Sequence, residues 1–312
     1  MTMADLPTRV QICEEGPREG FQSLPPVATA QKIRLIEALA ETGLSQINCT
    51  SFVNPKLLPS MADAEALAAG IRRREGVRYI GLWLSESGFR RALTTPLDVS
   101  TSVMCCTTDS MAMKNNGCNE AELLRKQGHL IDLYREQGLG LNYAHVSTAF
   151  GCTFEGRVSA DKTVSTIADL LAVCDDHGLL PDVIYLSDTV GAGSPKAVTE
   201  VLVKARSRWP DQVFGLHLHD TRGMGLANAH AGLQLGITRL DASVGGMGGC
   251  PFSGNKGAAG NVCTEDLVLM CEEMGIDTGV DLEALIECAL MAEEIAGMPL
   301  PGKAMRCGRL PH

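Results

Sequence analysis

Val213-Phe214-Gly215-Leu216-His217-Leu218-His219-Asp220-Thr221-Arg222-Gly223 is the stretch on which the reading of this chain turns. Its apolar first half reads as a buried strand that runs out into a polar loop. Alternate side chains of a strand share one face. His217 and His219 therefore direct their imidazoles to one point. Imidazoles converging at a strand end make a divalent-metal site; two core histidines bonded to backbone are the plainer alternative.

Outward from this strand the same rhythm runs in both directions. Apolar, strand-like runs cover 10–13, 46–49, 78–83, 99–104, 141–146 and 183–186, and a last one follows over 239–244. Amphipathic runs alternate with them at about 29–41, 62–74, from 86, 120–137, 160–176, after Pro195, 224–235 and 264–274, with one more at 282–295. Eight β-then-α units predict an α/β chain of the (β/α)8 TIM-barrel class. We read one domain, the barrel over about 8–275 and a C-terminal helical extension over about 276–312. A doubly wound open sheet shares the alternation, but no Gly-x-Gly-x-x-Gly follows the first strand. The Pro- and Gly-containing tail, 298–312, reads as poorly ordered, or as a lid or contact segment.

The core is aliphatic, since 45% of the 312 residues are hydrophobic and only 4% aromatic. A net charge of −10 speaks against a nucleic-acid partner. Arg72-Arg73-Arg74 and Lys114 stand as a candidate basic patch for an anionic substrate, with a solvated helix end as the plain alternative. The twelve cysteines include no Cys-x-x-Cys pair. They read as reduced core thiols of a cytoplasmic protein rather than as disulfides or a zinc site. No apolar run approaches the ~20 residues that span a bilayer. Met1-Thr2-Met3-Ala4-Asp5 lacks the features of a targeting segment.

In a barrel the active site lies at the C-terminal ends of the strands. Those positions here are polar: Glu14 to Gln22, then Asn48, Thr50 and Ser51, then His145 to Thr148, Ser187-Asp188-Thr189, and His217, His219 and Asp220. The last loop runs from Gly245 through Cys250 and Pro251 to Gly260-Asn261. Glu19 beside two imidazoles completes a mixed nitrogen and oxygen set that suits Mg or Mn better than a thiolate-bound zinc. Cys250, among glycines, is the cysteine with the setting of a reactive thiol, in a loop able to close over a ligand.

Gly16-Pro17-Arg18-Glu19-Gly20-Phe21-Gln22, Thr50 to Lys56, His217-Leu218-His219-Asp220-Thr221, Gly248-Gly249-Cys250-Pro251 and Gly260 to Asp266 occur in this order. Together they resemble the 3-hydroxy-3-methylglutaryl-CoA lyases of the metal-dependent TIM-barrel lyase family, over about 10–274. The resemblance implies a divalent metal ion, Mg or Mn, held by Glu19, His217, His219 and Asn261. It implies that Arg18 stabilises enolate charge, that Cys250 takes part in proton transfer, and that Asp188 lies near the site. Asn48 joins this catalytic set, and Gln22, Ser51, Lys56 and Ser147 are the expected substrate contacts.

Three departures from the family pattern stand out. Glu19 replaces the usual Asp, Asn48 replaces a usual Glu, and the spacer from Cys250 to Asn261 is two residues longer than expected. The expected activity is retro-Claisen/aldol cleavage of a 3-hydroxy-3-methylglutaryl-CoA-like acyl-CoA to acetyl-CoA and a keto acid, by an oxo-acid-lyase. The alternatives are a citramalyl-CoA-like substrate, a longer branched 3-hydroxyacyl-CoA, or a pyruvate-releasing 4-hydroxy-2-oxo acid. A Claisen-type synthase and a non-catalytic barrel are the more distant ones. The expected partner is the acyl-CoA itself, with no nucleic acid and no membrane. A homo-oligomer is expected; the 282–295 helix reads equally as packing on a partner or as capping the core.

Overall fold

The computed structural model describes residues 6–248 and 260–310. Eight parallel strands recur along them: β1 (Gln11–Glu14), β2 (Gln46–Ser51), β3 (Arg78–Leu82), β4 (Ser102–Cys106), β5 (Leu141–Ser147), β6 (Pro181–Asp188), β7 (Val213–Leu218) and β8 (Arg239–Ala242). The α-helices are α1 (Thr29–Glu41), α2 (Ala64–Gly70), α3 (Glu86–Leu93), α4 (Asp109–Asn116), α5 (Glu120–Glu136), α6 (Ala160–Asp176), α7 (Pro195–Arg208), α8 (Gly225–Gln234), α9 (Thr264–Glu273), α10 (Leu282–Ala296) and α11 (Ala304–Cys307). The chain forms two compact units.

The first unit holds residues 8–99, 239–248 and 260–310. Its strands pair in the order β3-β2-β1-β8, all parallel. Helix α1 buries Leu35, Ile36 and Leu39 completely. Each such side chain contributes about 1.5–3 kcal/mol when withdrawn from water. The chain leaves α1 through Gly43 at φ +94°, where a Cβ would strike the Gly279 carbonyl.

Helix α2 stops at Gly70, earlier than the amphipathic run implies, because Ile71 turns extended. The following arginines are neither an anion patch nor a helix end. Arg72 pairs with Glu37, Arg73 with Asp98 and Arg74 with Glu41.

The second unit holds residues 6–7 and 100–238. Its strands pair β4-β5-β6-β7, again all parallel. Three of its helices begin on side-chain caps: Asn119 accepts from the Glu122 N–H, Ser159 from Lys162 and Ser194 from Ala197. Such caps satisfy backbone donors that a helix start leaves open. Helix α4 and a small antiparallel hairpin, Gly151–Cys152 with Gly156–Arg157, have no counterpart in the sequence reading. Among the described residues eleven cysteines are free thiols, ten of them buried. No described helix is long and apolar enough to cross a membrane.

The tail differs from its expectation. Up to residue 310 it is built into the first unit. Asp266 caps α11 by accepting from the Lys303 and Ala304 N–H groups, and Ala304 and Met305 are buried.

Candidate active site

In the first unit, β1 delivers Gly16–Gly20 as one turn of π-helix, in which the Glu19 N–H donates to the Glu15 carbonyl at 2.7 Å. Such turns are rare and concentrate at functional sites. Glu14, wholly buried, fixes where the turn starts. Its Oε1 accepts from the Gly16 and Val244 N–H groups at 2.7 and 2.8 Å, and its Oε2 accepts from the Thr264 hydroxyl at 2.6 Å. Glu265 Oε2 accepts from the next N–H, that of Gly245, at 2.9 Å. Burial pushes Glu14 up to about 7 and Glu265 up to about 8. Gly246 sits at φ +71°, and a Cβ there would meet Cys263 Sγ at 2.6 Å. One buried carboxyl thus ties the Arg18 turn to the segment after β8.

Arg18 stands on the π-turn with 15% of its side chain exposed. Its guanidinium pairs with Glu15 through Nη2 and with Glu19 through Nη1 at 3.1 Å. Burial works against the charge, but Glu15 and then Glu19 hold the group above the ordinary arginine range. Asn48 approaches from β2, where the register slips between Asn48 and Thr50, a bulge of the kind that re-aims side chains. Its Nδ2 donates to both Glu15 oxygens, at 3.2 and 3.1 Å.

Cys13, Glu15 and Asp241 also gather ligand-type atoms within 4.8 Å. Burial, with Glu15 and Asp241 adding to it, raises the Cys13 thiol well above its usual value. The thiol donates to Glu15 at 3.6 Å and accepts from Gln46 Nε2 at 3.2 Å. This is a protonated hydrogen-bond network, not a thiolate site.

Asn261 is wholly buried; its Nδ2 donates to the Met247 carbonyl at 3.3 Å while Oδ1 has no partner. A buried amide oxygen without a donor is a fit ligand for a hard cation. Arg18 Nε, Asn48 Oδ1 and Ser51 Oγ are likewise unpartnered. Lys56 is exposed and Gln22 half-buried.

In the second unit the end of β7 brings His217 Nε2 to 3.3 Å from His219 Nε2, with ring planes at 55° and both rings buried. Two ring nitrogens this close share one proton or one cation. Ligands ~2.1 Å from one ion at a near-right angle stand about 3 Å apart, so the pair fits a metal. Asp188 ends β6. Its Oδ1 accepts from the Ala192 and Gly193 N–H groups at 2.7 and 3.0 Å. A Cβ at Gly193 would come within 2.8 Å of Oδ2, so the loop needs glycine there. Burial raises the Asp188 carboxyl above its ordinary value, with His219 and the loop amides of Gly193 and Ala192 partly opposing it.

Ser147 ends β5, buried, beside Thr148 at φ +55°. The Thr148 N–H donates to Thr189 Oγ1 at 2.9 Å, and Thr107 Oγ1 donates to the Thr148 carbonyl at 2.8 Å. A non-glycine residue in that region costs on the order of 1–3 kcal/mol, strain typical of functional sites.

Within the first unit the structure brings together Arg18, Glu19 and Asn48, joined by Glu15, to which the sequence reading gave no role. Within the second it brings together His217 and His219, with Asp188 nearby. Cys250 lies outside the described residues. The signal that could have flagged Glu14 and Glu15 is two consecutive carboxylates directly after an apolar strand, a pattern that asks what satisfies them.

Residues 9–291 match the family described as HMGL-like. The chain belongs to the HMGL-like family. It is 38% identical to the hydroxymethylglutaryl-CoA lyase YngG of Bacillus subtilis over 96% of this chain and 97% of that one. The solved structure of the Bacillus subtilis HMG-CoA lyase superposes with a TM-score of 0.89, covering 97% and 98% of the two chains at 38% identity. A structure of an HMG-CoA lyase from Acinetobacter baumannii, in complex with coenzyme A and 3-methylmalate, superposes at 0.86 with 34% identity, covering 99% and 97%. The fold class is therefore the family's (β/α)8 TIM barrel with a C-terminal helical extension, and the chain is a carbon–carbon lyase of this type.

Proposed function

We propose that this lyase cleaves a 3-hydroxy-3-methylglutaryl-CoA-like acyl-CoA to acetyl-CoA and a keto acid, with a divalent cation, Mg or Mn, as its cofactor. The observation that carries the reading is the facing pair His217 and His219 at the end of β7, on a chain alike over nearly its whole length to named HMG-CoA lyases. Glu19, His217, His219 and Asn261 would hold the cation. Bound there, it would polarise the substrate hydroxyl and carbonyl oxygens.

The bond between the carbinol carbon and the thioester α-carbon breaks. The hydroxyl proton passes to a carboxylate or imidazole of the set, Glu19 or His219. The electron pair moves onto the thioester as an enolate. Arg18 carries a fixed positive charge for that developing oxyanion, the interaction often largest in such chemistry. Cys250 returns a proton to the enolate carbon. Asp188, fixed by the Ala192 and Gly193 amides, supports His219. Gln22, Ser51, Lys56 and Ser147 orient the acyl-CoA.

We further propose that residues 1–312 act as one catalytic domain, since one family spans 9–291 across both units. A cytoplasmic location accords with the buried free thiols, and a homo-oligomer remains the expected assembly.

The deciding experiment incubates the protein with Mg or Mn and 3-hydroxy-3-methylglutaryl-CoA and measures acetyl-CoA. Release of pyruvate from a 4-hydroxy-2-oxo acid, without acetyl-CoA from any 3-hydroxyacyl-CoA, would overturn the substrate class.

A further inference from the structure

Glu15 is a buried carboxylate that the reaction above does not use. It is 4% exposed, and it pairs with the one guanidinium assigned to the enolate. Its second hold is Asn48, whose Nδ2 lies 3.2 and 3.1 Å from its two oxygens. The Cys13 thiol reaches the same group. Arg18 has one other ion-paired carboxylate among the described residues, Glu19, with Asp241 adding to its field from the Glu15 side, and Glu19 is spoken for by the cation. Glu15 is then the anchor that stays with Arg18 throughout the reaction. The identity of residue 48 follows from this. An amide donates to a carboxylate one strand away, where a second carboxylate would repel it.

We propose that Glu15 is a positioning residue that holds the Arg18 guanidinium in place for the enolate, and that Asn48 is an amide because it must hold Glu15. The acid that the family resemblance leads one to expect at position 48 is thereby supplied from position 15. The proposal rests on the lyase reading and on Arg18's part in it.

The test is a set of variants of the whole protein, assayed for acetyl-CoA release with metal present and checked for folding by thermal unfolding. Glu15→Gln should lower kcat by roughly 10–100-fold, the usual consequence of removing an outer partner of a site, with KM nearly unchanged. In an Arg18→Met background the same change should have no further effect on kcat, because Glu15 acts through Arg18. Asn48→Glu alone sets two carboxylates against each other and should lose activity. Glu15→Gln combined with Asn48→Glu moves the acid across and should recover most of what Glu15→Gln lost. Full kcat in Glu15→Gln, equal losses with and without Arg18, or a double variant no better than Glu15→Gln would each overturn the proposal. An inactive wild type across all 3-hydroxyacyl-CoA esters tested would instead overturn the lyase reading, and the variants are read only against an active wild type.

Discussion

Lys32 and Arg18 are two cations drawn into the interior of the same unit, and they end differently. Lys32 is 1% exposed, and its ammonium donates to the Ser60 carbonyl at 2.6 Å and to Asp63 at 2.7 Å. Asp63 in turn accepts from the Thr29 hydroxyl at 2.7 Å, so both ends of the pair are engaged. Arg18 keeps an unpartnered Nε, and Asn48, Ser51 and Asn261 each keep an unpartnered oxygen. A fully satisfied buried charge fastens α1 to the segment before α2. A buried charge with hydrogen-bonding capacity left over is kept for something that arrives. Burial alone does not separate these two cations; the polar capacity left over around Arg18 does.

The contrast can be broken most sharply at Lys32. Lys32→Met should cost about 1–3 kcal/mol of stability, since it leaves the buried Ser60 carbonyl without its donor and half-buried Asp63 without its cation, and urea unfolding would read it. Turnover per folded molecule should stay at the wild-type level. Arg18→Met should differ from it in turnover. It too leaves a buried partner, Glu15, and should lose stability, but kcat per folded molecule should fall on the order of 10²–10³-fold, as when an oxyanion donor is removed. Equal kcat in the two variants would erase the distinction.

The histidines sharpen it further. His219→Ala or His217→Ala should lower metal content after dialysis against a defined metal buffer, measured by elemental analysis, with circular dichroism unchanged. Unaltered metal content would remove both from the ligand set.

The smallest expected effect concerns pH. Glu14 and Glu265 titrate near 7 and 8 in the folded chain, against 4.5 as ordinary carboxyls. Their protons are bound more tightly folded than unfolded. The stability they contribute is fully present below about pH 4.5 and drains away as pH climbs through 7 to 8. Glu265→Gln should flatten that decline in thermal midpoints, and a midpoint slope identical to wild type would contradict the placement of its carboxyl.

The strand-helix rhythm was legible because period-2 and period-3.6 apolar patterns are local properties; α1 and α6 start and stop where their patterns do. Helix α2 was not, because Gly70 and the ion-paired Arg72, Arg73 and Arg74 end it through partners far along the chain. The paired histidines were legible from spacing on a strand. Glu15 was not, since its meaning depends on Asn48, which lies 33 residues away and arrives by strand pairing and a bulge. The tail read as loose because Pro and Gly are abundant there, yet Asp266 holds its backbone.

The Glu14 clamp has a consequence for biosynthesis. It joins groups separated by 230 and 250 positions, Val244 and Thr264. At roughly 5–20 residues per second on the ribosome, the turn bearing Arg18 waits some 10–50 s for its tether to emerge. Nascent chains longer than 20 residues and shorter than 244 therefore carry every atom of that turn and neither of its distant partners.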